Sequence, residues 1–191
     1  SAQQTPTNDG PGYPAVTTTP TEMPTEEFTL EETSERVITA LFQRDMQALA
    51  GFVHPERGVR FSPYAFVREE HQVFMPEALV GLLDSDTVYT WGIYDGSGMP
   101  IELTFSEYYQ EFVYSSDFAN AEQVAVNEVI GEGNTINNIG TFYPESSFVE
   151  YYFSGFDEQY EGMDWESLRL VFVQEDSTWY LVGIVHAEWT I

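Results

Sequence analysis

Lysine and cysteine are absent from the 191-residue chain, and no apolar run approaches the length of a membrane span. Each absence excludes something. Six arginines face 32 carboxylates, for a formal net charge of −26. A protein that grips nucleic acid must neutralise phosphates with clustered Lys and Arg over a broad surface, so nucleic acid is not an expected partner. Without cysteine there is no disulfide scaffold, thiolate zinc site or cysteine nucleophile. A spanning helix needs about 18 or more consecutive apolar residues, so no transmembrane segment is expected. The polar start carries no signal peptide, and any export signal is expected to have been removed. There is also no Gly-x-Ser-x-Gly elbow, phosphate loop or dinucleotide fingerprint. No cofactor is expected.

What is present is apolar enough to fold: with 42% apolar and 16% aromatic residues the acidity belongs to a domain with a core, not to a disordered acidic tail. Residues 1–27 differ from the rest. Their Thr, Pro and Gln composition, with prolines every few positions, denies them a helix or a ladder and predicts a disordered tether ahead of one domain over 28–191. Such a tether suits a chain outside the cytoplasm, secreted or lipid-anchored.

The domain opens on a capping box, Thr29-Leu30-Glu31-Glu32. Leu30, Val37, Ile38, Leu41 and Phe42 follow at helical spacing, and after Asp45 a short continuation runs to Pro55. Pro76 predicts a second helical start, continuing to Leu83, and Thr104-Phe105-Ser106-Glu107 a third. Between and after these, Val88–Ile93, Val124–Ile130, Phe148–Phe153, Leu168–Val173 and Trp179–Val185 are β-branched and aromatic runs bounded by turn formers. The last two read as a hairpin. Strict alternation would put Tyr180, Val182 and Ile184 on one side and Trp179, Leu181 and Val185 on the other, an apolar pair of faces that suits a central position. The expected fold class is α+β, with N-terminal helices packed on a curved, mainly antiparallel sheet.

This order of elements resembles the NTF2-like, cystatin-like cone family. The residues that carry the resemblance are Arg36 to Pro55, with a break at Arg44-Asp45, and the terminal Trp165 to Ile191 hairpin. It implies a bent helix seated in a curved sheet with a pocket between them, and the chain is similar to uncharacterised exported lipoprotein domains of that group. The function implied is binding of a small molecule or protein partner without catalysis. Cone-fold enzymes place acid and base groups on strands facing the pocket, so the alternative is an enzyme using Glu150 or His186 as general acid–base. A calcium-stabilised structural module is a further alternative.

Basic residues are concentrated. His54, Arg57, Arg60, Arg68 and His71 lie in one 18-residue stretch that also holds Tyr64, Pro55, Gly58 and Pro63. Guanidinium forks bind carboxylates and phosphates bidentately, so this stretch, read as a loop beside a cleft, is the expected ligand site, with Arg57 and Arg60 near the rim and Arg169 contributing from a strand. The competing reading has these arginines paired with Asp and Glu, fastening the loop. Glu150 and Arg169 interrupt apolar strands and could form a cross-strand pair at a sheet edge or surface. Asp84-Ser85-Asp86 and Asp95-Gly96 are acidic turns with oxygen ligands of the kind calcium takes, but neither fits an EF-hand. Ordinary turns are expected there, and no metal site.

Overall fold

The computed structural model describes residues 27–190. Residues 1–26 of the expected tether lie outside them. Helix α1 (Leu30–Phe42) starts where the capping box places it: the Glu32 amide donates to Thr29 Oγ1 at 3.2 Å and the Thr29 amide to Glu32 Oε2 at 2.9 Å. Leu30, Val37, Ile38 and Leu41 are buried along one stripe. Phe42 instead lies exposed beside Tyr114. Arg44, with φ 56°, breaks the helix. Asp45 then caps α2 (Met46–Ala50) through the Ala48 amide.

The remaining elements are β1 (Val59–Ser62), β2 (Val73–Phe74), α3 (Pro76–Leu79), β3 (Val88–Ile93), β4 (Pro100–Thr104), α4 (Phe105–Tyr108), β5 (Gln123–Val126), α5 (Ile139–Phe142), β6 (Ser147–Phe153), β7 (Glu166–Glu175) and β8 (Thr178–Glu188). Six strands form one sheet in the order β2-β1-β8-β7-β6-β5, and β3 and β4 pair separately. The class is α+β, with β1–β8 the one parallel pairing in a mainly antiparallel curved sheet. The expected terminal hairpin sits at its centre.

Several elements differ from expectation for readable reasons. The helix expected from Pro76 ends at Leu79, because Val80 is extended and Gly81 takes φ 80° before a 3₁₀ turn. The strand expected to reach Ile130 stops at Val126, where Asn127 enters the left-handed region (φ 55°). Part of the expected 54–71 loop is a strand, since Arg60, Phe61 and Ser62 pair with Gly183, Ile184 and Val185 of β8. In β8 the register shifts: Val171 faces Gly183 while Phe172 faces Leu181, which leaves Val182 as an extra residue. That bulge reverses the alternation predicted for the hairpin. Leu181 and Ile184 join the helix-side core, and Tyr180, Val182 and Val185 pack on the outer face with Tyr143.

The helix side is closed by aromatic packing. Trp91 stacks on Tyr108 with centroids 3.8 Å apart, and Phe61, Phe74 and Phe105 close around Trp91 edge-on or tilted. Each large apolar side chain buried this way stabilises the fold by about 1.5–3 kcal/mol.

Candidate functional site

The expected basic stretch divides. Arg60 is a clamp: its Nη1 donates to the carbonyls of Arg68, Glu69 and His71 at 3.3, 2.6 and 2.9 Å. Its guanidinium also lies over Phe142. His54 is buried, and its Nδ1 accepts from the amides of Glu56 and Arg57. Its Nε2–H therefore donates to Glu175 at 3.0 Å. Arg57 is exposed on that turn. Arg60 and His54 hold the segment in place. The rim position expected for Arg57 and Arg60 is not observed: neither residue lines the groove of about 500 Å³ between α1 and the β5–β6 edge, bounded by Glu31, Glu35, Ile38, Val124 and Tyr151, or the smaller one between α1 and β8, bounded by Thr33, Phe52, Trp179 and Tyr180. β1 is at the opposite side of the sheet.

Tyr64, Arg68 and His71 do converge, with Phe66, Asp95 and Thr135, on a recess of about 100 Å³. His71 is buried, and its Nδ1 accepts from the Arg68 amide at 3.2 Å and the Ser62 hydroxyl at 3.0 Å. Burial, helped by Arg60 and Arg68 and opposed by Glu70, lowers its pKa to about 4. The ring is neutral near pH 7, and with Nδ1 accepting, Nε2 carries the proton. Arg68 lies over Phe66, with its nearest carboxylate, Glu70, 4.0 Å away. Burial raises the Tyr64 phenol, whose oxygen accepts from the Asp95 amide.

On the outer face of the sheet, Glu150 and Arg169 pair across β6 and β7, both buried. The pair expected at an edge or surface is interior. Glu150 Oε1 accepts from Arg169 Nε at 3.2 Å and Nη2 at 3.1 Å, and its two oxygens also accept the amides of Ile130 and Gly131. Nη2 donates further to the Gly131 carbonyl at 2.7 Å. Glu150 thus accepts four hydrogen bonds, three on Oε1 and one on Oε2. The buried Nη1 of Arg169 has no partner among the described residues. Arg169 lines a recess of about 220 Å³ with Gly131, Gly133, Thr135 and Asn137. Thr135 belongs to both recesses.

His186 lies on the helix side, its ring edge-on to Phe112. Around it are Glu166, Glu188, Ser115 and Ser116. Ser116 donates to Glu166 Oε2, and Ser115 Oγ lies 3.5 Å from His186 Nε2. Burial pushes the Glu166 carboxyl up, but His186 and the serine hydroxyls outweigh it and hold the group below its usual range. Glu188 goes the other way, raised by burial and by the charges of Glu166, Glu111 and Asp95. Glu166 was not foreseen, because only the β7–β8 register brings it opposite Glu188. Asp84, Asp86 and Asp95 stay exposed in turns. Among the described residues, Glu166, His186 and Glu188 form the one grouping of three metal-ligand side chains.

No protein-family profile matches the chain, and no curated protein matches it. Solved structures with a similar course include a DUF4783 family protein from Bacteroides ovatus (12% identity, 85% of this chain and 96% of that one, TM-score 0.31). A candidate calcium/calmodulin dependent protein kinase II association domain from Xanthomonas campestris has 11% identity over 81% of each chain, TM-score 0.33. A candidate dehydratase of the NTF2-like family from Streptomyces avermitilis has 12% identity over 82% of this chain and 90% of that one, TM-score 0.30. Scores this low assign no family.

Proposed function

We propose that this is an NTF2-like domain that acts outside the cytoplasm as a non-enzymatic binder of a small acidic molecule, held along the paired recesses that meet at Thr135. The carrying observation is Arg169, whose buried Nη1 has no acceptor among the described residues and which lines a recess of about 220 Å³. A buried donor left unmade costs about 1–3 kcal/mol and more when charged. A carboxylate or phosphate oxygen entering the recess would satisfy it. Arg68 and the Nε2–H of His71, in the recess that shares Thr135, supply further donors for a second acidic group. Asp95 and Glu132 also line the two recesses, so an anion is held there through Arg169, Arg68 and His71 against the charge of those two carboxylates.

The test uses dicarboxylates and inorganic phosphate as probes in calorimetric titrations of the full chain. Arg169→Lys, which keeps the charge beside Glu150 but removes the fork, and Arg68→Gln should each weaken binding by about tenfold, the worth of one charge-assisted hydrogen bond. Arg57→Gln should leave it unchanged. Binding insensitive to Arg169→Lys would refute the assignment.

A further inference from the structure

The helix-side end of the terminal hairpin holds a ligand set that the anion recesses do not use. Glu166 and Glu188 face each other across β7 and β8, and His186 precedes Glu188 by two residues. The pleat therefore sends all three to one face, where one donor atom from each lies within 4.8 Å of the others. His186 is completely buried. Its Nδ1 is 3.2 Å from the Pro63 carbonyl oxygen, an atom that only accepts, so Nδ1 carries the hydrogen. Nε2 is then the ring's open position, able to hold a proton or to give its lone pair to a metal ion. The nearest groups to Nε2 are Ser115 Oγ at 3.5 Å and Glu166 Oε1 at 3.9 Å, neither at the ordinary length of a hydrogen bond. A buried Nε2 beside carboxylate oxygens calls for a positive centre between them, either a proton on Nε2 or a metal ion.

We propose that this is a divalent transition-metal site, with His186 Nε2, Glu166 and Glu188 as the protein ligands and an ion of zinc type as occupant. The nitrogen ligand argues against calcium and magnesium, which take oxygen, and an imidazole with carboxylates suits zinc and its neighbours. The Nδ1–H to carbonyl bond is the outer arrangement that orients metal-binding histidines, and the Ser116 hydroxyl on the other Glu166 oxygen orients that carboxylate. Zinc–nitrogen and zinc–oxygen bonds of about 2.0–2.2 Å put tetrahedral ligands roughly 3.4 Å apart. The observed 3.9 Å between His186 and Glu166 must close by about half an ångström. Both carboxylates are only partly buried, which permits that movement and leaves a fourth position open toward solvent. No arginine among the described residues pairs with either glutamate, and Glu111 and Asp95 add negative charge beside Glu188.

The experiment is calorimetric titration of the chelator-treated full chain with zinc chloride, repeated with cobalt chloride to read the absorption bands of a bound Co²⁺. One equivalent of zinc should bind and raise the thermal midpoint. Glu166→Gln and Glu188→Gln should each lower zinc affinity by at least about tenfold, whereas Asp84→Asn and Asp86→Asn should leave it unchanged. His186→Gln should abolish the cobalt bands. If that buried substitution prevents folding, the two partly exposed glutamates carry the test. Absence of stoichiometric binding, or binding that survives both glutamate substitutions, would overturn the proposal and leave a proton on Nε2 as the bridge to Glu166.

Discussion

Glu150→Gln isolates the interior ion pair. Glu150 accepts from Arg169 Nε and Nη2 at 3.2 and 3.1 Å and from the Ile130 and Gly131 amides at 2.6 and 3.3 Å. A glutamine of the same shape removes the charge and turns one accepting oxygen into a donating NH₂, so one of these donors faces another donor. Arg169, fully buried, keeps its charge with only neutral carbonyl oxygens, those of Gly131 and the new glutamine, as partners. Removing one partner of a buried pair costs about 3–5 kcal/mol. For a domain of this size each kcal/mol moves the thermal midpoint by about 2–4 °C, so a fall of roughly 6–20 °C is expected. Urea denaturation followed by circular dichroism reads the same loss as a lower midpoint at unchanged slope. The double substitution Glu150→Leu/Arg169→Met should recover most of it, because a well-packed apolar pair avoids the desolvation of two charges. A loss below about 1 kcal/mol for Glu150→Gln would mean that water reaches the guanidinium freely. The argument that Arg169 Nη1 needs a ligand acceptor would fall with it.

His71, with a folded pKa of about 4, binds its proton more weakly than in the unfolded chain, where about 6.5 is normal. The unfolded state therefore takes up the proton first, and stability is lost as pH falls from about 6.5 to about 4. His71→Asn, which keeps an acceptor for Ser62, should flatten that part of the pH–stability curve relative to the parent, and an unchanged slope would refute the assignment. Gly131→Ala places a methyl 2.4 Å from the Trp165 ring; about 1–3 kcal/mol of overpacking cost and an altered Trp165 near-ultraviolet signal are expected. Thr29→Ala removes the α1 cap and should cost about 1 kcal/mol in the urea midpoint. Sodium chloride should raise that midpoint by screening the 32 carboxylates, and equal midpoints at low and high salt would show that those charges are already compensated.

Local signals were legible where one residue's chemistry decides the backbone. Thr29 with Glu32 and Thr104 with Glu107 mark helix starts because a short hydroxyl and a carboxylate satisfy amides three residues apart. The hairpin was legible because β7 and β8 are nearly continuous apolar runs. β1, β2 and β4 were not, since a strand of two to five residues carries too few alternations to stand out. Of the expected ligand residues, Tyr64, Arg68 and His71 share a recess, while His54, Arg57 and Arg60 serve or occupy the turn beside it. Nothing local separates Arg60, which ties three carbonyls together, from Arg68, which ties none.

By itself the sequence determined the charge, the absence of cysteine, the helix starts and the α+β class, because composition and short-range hydrogen bonding act within a few residues. Tertiary structure alone decided which face each polar strand residue meets. A bulge of one residue at Val182 and the β6–β7–β8 register send Glu150 and Arg169 to the outer face and Glu166, His186 and Glu188 to the helix side. A strand's side chains alternate with period two, so a shift of one residue exchanges the faces, and that shift is set by the packing of whole strands against one another rather than by any residue within them.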